Sequence, residues 1–288
     1  MASQKAVDTL GIPLKVFNVS EEYLDVVKHP KHGYGSNMNP CIDCRIFMLK
    51  KTKAYMEVAS ASFIVTGEVL GQRPMSQRRD AMRLIEKEAG LEGFILRPLS
   101  AKFLPVTIPE KEGWVDRERL LSIQGRSRKP QMKLADHLGI RDYPCPAGGC
   151  LLTDPGFARR MKDLIHYDPN FSLNDVHLLK VGRHFRFSPR LKLVVGRNEE
   201  ENQKIQTFSR EEDILLKISR YPGPLSLLRG DVNEREMERA AGIAVHYSKA
   251  KHLEKAEVIY KRGEEDHARS LFVSTISDRE IEGLMINE

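Results

Sequence analysis

Four cysteines in two short clusters constrain this chain more than any other feature. The first cluster is Asn39-Pro40-Cys41-Ile42-Asp43-Cys44, and the second is Pro144-Cys145-Pro146-Ala147-Gly148-Gly149-Cys150. No other cysteine occurs in the 288 residues. Soft ligands in pairs, each bracketed by Pro or Gly turn residues, mark a site rather than packing. We therefore expect the fold to bring the two clusters together, with sulfurs in shared metal-ligand reach. Cys-x-x-Cys serves three chemistries: a zinc site, an iron–sulfur cluster, or a dithiol–disulfide couple. Its spacing alone does not separate zinc from iron–sulfur. A cation such as Arg45 lowers the pKa of a neighbouring thiol. The competing reading is that these are small buried hydrophobes, against which the paired spacing argues. Asp43 can act as a general base or cap the following helix, and the cap is the simpler role.

Composition narrows the setting. The length accommodates two domains. A hydrophobic fraction of 41% is enough for ordinary cores, and 30% charged residues with a mean hydropathy of −0.42 describe a water-facing protein. The formal net charge is +6 and the pI about 9.0. That balance points to a polyanionic partner, nucleic acid first, with a merely solvated basic surface as an equal alternative on charge alone. No apolar run approaches the roughly 20 residues that a membrane helix needs, so no membrane partner is expected. No secretory signal opens the chain, and four cysteines are too few for a disulfide scaffold, so the expected compartment is a reducing cytoplasm.

Along the chain, residues 1–11 read as a helix stopped by Gly11, Leu14 to Val19 as a strand, and Glu21 to Val27 as a helix. Residues 45–59 are expected to be helical, Phe63 to Val65 a buried strand, Gln77 to Ala89 an amphipathic helix stopped by Gly90, and Gly93 to Leu96 a strand. Helices are expected within Trp114 to Gly125 and over Lys129 to His137. Strand–helix alternation of this kind predicts α/β architecture with a parallel sheet. The pattern then changes. A helix to about His166 is followed by strands over Val181 to Phe187, Leu191 to Val195, Ile214 to Ile218, Leu225 to Leu228 and Val258 to Lys261. Helices fall between them at Asn198 to Phe208 and Val232 to His246. We place a boundary near 165–172, giving domains 1–165 and 166–288.

Residues 1–140 resemble the tRNA 2-thiouridylase family and its relatives among the PP-loop ATP pyrophosphatases. The residues that carry the resemblance are Leu10 to Val19, Asn39-Pro40 with Cys44, Ala61 to Gly67, and Lys129-Pro130 with Leu134-Ala135 and Leu138-Gly139. The resemblance implies an adenine nucleotide alpha hydrolase-like domain that activates a tRNA uridine with ATP, after which a sulfur species displaces AMP. It assigns catalytic roles to Cys44 and to Cys150 or Cys145, and it calls for a sulfur donor. With Cys41 beside Cys44 the chain resembles the iron–sulfur subgroup of that family, in which three cysteines hold a [4Fe-4S] cluster and leave one iron open for sulfur; this implies Cys41, Cys44 and either Cys145 or Cys150 as the ligands, with zinc as the alternative. Glu68 stands where the family has His. The Ser-Gly-Gly-x-Asp-Ser pyrophosphate loop does not occur, so the first strand and its phosphate-cradling turn are expected to be missing. An exposed central edge would follow, met by a homodimer or a completing polypeptide. Arg73 and Gln77, just beyond a strand end, are the candidate nucleotide contacts.

Residues 166–288 resemble the RNA-binding domain of NFACT proteins, through Lys192 to Asn198, the later Asn202, and Val245 to Lys251. A smaller α+β RNA-binding domain is implied. The basic segments fit that role. In Gly182 to Phe187, alternation puts His184 and Arg186 on one side of a strand and Phe185 and Phe187 on the other. Arg197 and Asn198 end a strand before a helix, where amides and a guanidinium suit a phosphate, although Asn198 is equally a good N-cap. Arg126, Arg128 and Lys129 place three cations in a turn before a helix and are candidate contacts to RNA phosphates. The leading expectation is tRNA thiolation. Its alternatives are a non-catalytic RNA-binding protein with a structural metal site, or a sulfur carrier without a nucleic-acid partner.

Overall fold

The computed structural model describes residues 2–140, 149–263 and 267–286. Contacts divide the chain into two units, Met1–Cys150 and Leu151–Glu288. The division falls before the helix that ends near 166, and the sequence boundary was set just after it.

The first unit opens with α1 (Ala2–Leu10), which Gly11 stops with φ +63°, and α2 (Ser20–Lys28). Then come α3 (Cys41–Val58), β1 (Ile64–Val65), α4 (Arg79–Ala89) and β2 (Ile95–Leu96). The short α5 (Ile108–Lys111) is closed by a capping box of Thr107 and Glu110, and α6 (Lys129–His137) ends the unit. β1 and β2 pair in parallel across α4, a crossover that a parallel pair requires. Ile46 and Leu49 of α3, Ile85 and Ala89 of α4, and Ile64, Leu91 and Ile95 form its core. Each fully buried aliphatic side chain of this kind contributes about 1.5–3 kcal/mol.

Three expectations are corrected here. Leu14 to Val19 runs without strand pairing, and Val16 is 75% exposed. Apolar residues alone do not make a strand when no neighbour offers a ladder. Trp114 to Gly125 holds only a single 3₁₀ turn, Arg117–Arg119. Leu121 and Ile123 instead donate to the carbonyls of Pro98 and Leu99, and Ser100 Oγ donates to the Ile123 carbonyl at 2.6 Å. Long-range bonds hold this segment where helix propensity does not. Finally, the parallel sheet is one pair of two-residue strands among the described residues, so the architecture is mixed α/β with a small parallel sheet.

The second unit contains α7 (Pro155–Tyr167), α8 (Leu173–Leu178), β3 (Arg183–Ser188), β4 (Leu191–Val195), α9 (Glu199–Phe208), β5 (Ile214–Ile218) and β6 (Ser226–Gly230). It continues with α10 (Glu234–His246), β7 (Ala256–Arg262), β8 (Arg269–Val273) and α11 (Asp278–Leu284). The strands form an antiparallel sheet in the order β3-β4-β6-β5-β7-β8. One face packs on Ala240, Ala241, Ala244 and Val245 of α10 through Leu191, Leu193, Val195, Leu216 and Val258. The other buries Val194 and Leu227 against Leu178 of α8 and Ile205 of α9. Covered on both sides, β4 is buried along its whole length, which is why its sequence is nearly continuously apolar.

Candidate nucleic-acid interface and cysteine cluster

At one end of the β3–β4 hairpin the second unit forms a groove of about 620 Å³. Its walls are the end of β4, the first turn of α9, the loop Tyr221–Pro224 and the turn after α10. Gly196 leaves β4 with the Asn202 side chain pressed against it: a Cβ there would lie 2.2 Å from Asn202 Oδ1. That oxygen accepts from Leu225 N at 2.9 Å, and Gly196 N donates to the Leu225 carbonyl at 3.0 Å. Gly196 and Asn202 thus tie α9 to the entry of β6. Asn198 caps α9, accepting from Glu201 N at 2.9 Å. Glu201 in turn accepts from Arg197 N at 2.9 Å, Gly182 N at 3.2 Å and the Arg197 guanidinium, with Nη2 at 2.6 Å. This bidentate pair holds the Arg197 pKa above its ordinary value against the opposing effect of burial. Burial also pushes the Glu201 carboxyl up, but the bonds from Arg197 outweigh it and the net shift is downward.

The opposite wall is cationic and aromatic. The Arg183 guanidinium stands 4.3 Å from the centroid of the Tyr247 ring. Lys249 and Lys251 are exposed, and Lys249 N donates to the Pro222 carbonyl at 2.9 Å. Ser248 Oγ bridges the turn, donating to the Val245 carbonyl and accepting from Ala250 N. Two exposed lysines, two arginines and a ring, with Glu199 on the α9 side, make a groove that can take a phosphate chain along its basic wall and stack a base.

Of the residues singled out in the sequence, Arg197 and Asn198 line this groove and Arg186 does not. The Arg186 guanidinium is bound by the Asp163 carboxylate of α7 and lies 4.7 Å from the Tyr167 ring centroid. His184, expected on a phosphate-facing side, is fully buried. Its Nε2 lies 2.8 Å from the Val181 carbonyl, which makes it the protonated nitrogen. Burial, followed by the charges of Lys192 and Arg160, holds its pKa well below the ordinary histidine value. His184 and Arg186 do share one face of β3, but α7, α8 and α9 cover that face. Tyr247, Lys249 and Lys251 carry no separate signal beyond the basic tail of the Val245 to Lys251 segment, and Arg183 none beyond the Gly182 to Phe187 alternation.

In the first unit, Arg73, Arg126, Arg128 and Lys129 are all exposed. Leu70 bridges Gln124, and Gly125 N donates to the Leu70 carbonyl at 2.7 Å, so the two basic loops leave one common point. Gln77 is buried, and its Oε1 has no partner among the described residues. Glu68 is buried between two cations, with Oε1 3.3 Å from Arg45 and Oε2 3.0 Å from Arg97.

The cysteines gather at the start of α3, which begins at Cys41, four residues earlier than the periodicity indicated. Asn39 Nδ2 lies 3.3 Å from Cys41 Sγ. Asp43 neither caps its own helix nor stands free as a base: its two oxygens accept from Lys31 N at 3.1 Å and His32 N at 3.0 Å. Tyr23 of α2 shares a hydrogen bond with the Cys44 thiol, and Cys41 and Cys150 are close enough to act on both groups. Burial pushes the Cys44 thiol above its usual pKa; Tyr23 and Arg45 oppose this, so the lowering expected from Arg45 is outweighed. Three of the four cysteines are therefore neighbours. Cys145 lies outside the described residues. Among those residues no three His, Cys, Asp or Glu side chains are arranged to hold one metal ion.

Residues 182–285 match the family described as the NFACT protein RNA binding domain. The matched segment lies wholly within the second unit and includes every wall of the groove. It adds nothing to the thiouridylase resemblance of residues 1–140. No curated protein matches the chain. Among solved structures, the C-terminal part of the fibronectin/fibrinogen-binding protein from Streptococcus suis is similar at 13% identity, over 85% of this chain and 94% of that one. Its TM-score of 0.32 carries no argument about fold.

Proposed function

We propose that the protein binds RNA, tRNA in the first place, through the groove of its second unit. The observation that carries this is the coincidence of the RNA-binding family match with a cation-lined groove built from the same residues. Lys249 and Lys251 meet backbone phosphates. Arg183 and Tyr247 offer a stacking platform, across the groove from the acidic first turn of α9, Glu199 to Glu201. Arg197 serves this site by position, its charge being shared with Glu201. The test is the salt dependence of tRNA affinity. Replacing Lys249 and Lys251 together by Ala removes two phosphate contacts, so the log–log salt slope should become shallower by about 1.4, the single-strand value for two contacts. An unchanged slope and affinity would remove the groove from the interface.

One observation favours a second activity in the first unit: Cys41, Cys44 and Cys150 converge around Tyr23. On this reading the unit transfers sulfur to a uridine of the bound tRNA, with Cys44 and Cys150 as the working thiols. Thiolates without histidine would suit an iron–sulfur cluster or zinc; Cys41, Cys44, Cys145 and Cys150 are its candidate ligands, although Cys41, Cys44 and Cys150 do not stand in metal-ligand geometry here. Such a group would present sulfur or fix the thiols. Tyr23 positions Cys44. ATP activation would call on Arg73 and the loop that begins at Gly71. Nucleoside mass spectrometry of tRNA should show a thiouridine that disappears with Cys44→Ser; thiouridine persisting in that variant would end this reading.

A further inference from the structure

Strands β3, β4 and β6 set Arg186 opposite Lys192 and Lys192 opposite Arg229. Like charges in one cross-strand row repel. The two arginines are answered. Arg186 meets the Asp163 carboxylate of α7, and Arg229 meets Asp175 and Asp213, each at 2.6 Å. Arg210 takes the second oxygen of Asp175 at 2.6 Å. Lys192, in the middle, is 8% exposed and has no hydrogen bond or ion pair among the described residues. An ammonium has three donors, and burying it without an acceptor is costly. Burial, with Arg186 and Arg229, brings its pKa down to about 7, against the opposing carboxylates of Asp163 and Asp175.

This side chain lines an open cleft of about 370 Å³ bounded by α7, α8 and the β3–β4 turn. At its rim Arg190 faces Asp231 at 3.6 Å and Arg210 faces Glu212 at 3.9 Å. Asp163, Asp175 and Asp213 are already bound by arginines, and Lys192 has no carboxylate of its own; Asp168 also lines the cleft, where it accepts from Asn170 N. A phosphodiester continues on both sides and does not enter a recess of this size end-on, whereas a terminal phosphate does.

We propose that this cleft binds a terminal phosphate group, on an RNA end or on a small phosphorylated molecule, with Lys192 Nζ as the buried donor and Arg190 at the mouth. The site shares no residue with the groove at Gly196 and stands independently of it. A phosphate monoester brings about −1.5 to −2 of charge, so Lys192 takes up a proton as it binds.

The experiment follows the Lys192 Cε signal by NMR in the full chain against pH, with chloride, inorganic phosphate or 5′-phosphorylated RNA present. RNA of one sequence with a 5′-phosphate or a 5′-hydroxyl is compared by fluorescence anisotropy. Both phosphate probes should raise the Lys192 midpoint by about one pH unit, and the phosphorylated end should bind about tenfold tighter than the hydroxyl end. Lys192→Met should abolish that preference and leave hydroxyl-ended RNA binding unchanged. A midpoint shift with inorganic phosphate but no preference for the RNA end upholds the site and assigns it to small ligands. A midpoint moved by neither probe overturns the proposal, however tightly RNA binds. Loss of RNA binding with the phosphate shift intact would sink the groove reading alone.

Discussion

Gly196 and His184 show how far single residues are determined by their neighbours. A side chain at 196 would drive into Asn202, and the bond from Leu225 N to Asn202 would be lost with it. The pairing of a glycine with an asparagine six positions on was legible only as a motif; its cause is a close approach that no local propensity encodes. His184 and Lys192 are buried cations-in-waiting whose pKa values both fall on folding. The unfolded chain therefore holds more protons than the folded one, and stability rises with pH in each window. For His184 the window lies below the ordinary value of 6.5, and stability is lost as pH falls through it. For Lys192 it runs from about 7 up to 10.5, and stability is gained across it. Urea midpoints should accordingly climb from pH 5 to about 6.5 and again above about 7. His184→Gln should flatten the first rise and Lys192→Met the second. A wild-type midpoint that falls with pH in either range would contradict these burials.

Helices with a punctuating residue were the most legible elements. Gly11 ends α1, Gly90 ends α4 with φ +64°, and Asn198 opens α9, each as the sequence indicated. Segments whose state depends on a distant partner were not. Leu14 to Val19 has strand composition and no ladder, while Leu121 and Ile123 are held by Pro98 and Leu99. β8 was missed because three of its five residues are exposed and carry no apolar alternation. The same distinction governs the sites. Arg197 and Asn198 belong to a local motif, and they line the groove. Arg186 looked equivalent, and only the fold reveals Asp163 beneath it. Asn198→Ala tests the element that frames the groove: losing the cap of α9 should cost about 1 kcal/mol in chemical denaturation. RNA affinity should fall too, because Glu201 and Arg197 are seated by that first turn. A variant of unchanged stability would show that the cap does not hold α9.

At the scale of the whole molecule, the chain joins a mixed α/β unit carrying neighbouring cysteines to an antiparallel-sheet unit matched to an RNA-binding family. The net charge of +6 indicated nucleic acid from the outset, but charge alone did not say which basic segments would meet it. His184 and Arg186 of β3 are consumed internally, whereas Lys249 and Lys251 at the turn after α10 are exposed. On the function proposed above, RNA lies in the groove between the start of α9 and that turn. Ultraviolet crosslinking of bound tRNA to the full chain, with the crosslinked peptides read by mass spectrometry, tests it most directly. Crosslinks are expected at Arg183, within 196–202 and 221–224, and at Tyr247, Lys249 or Lys251. Crosslinks confined to β7 and β8, or to the first unit, would contradict it.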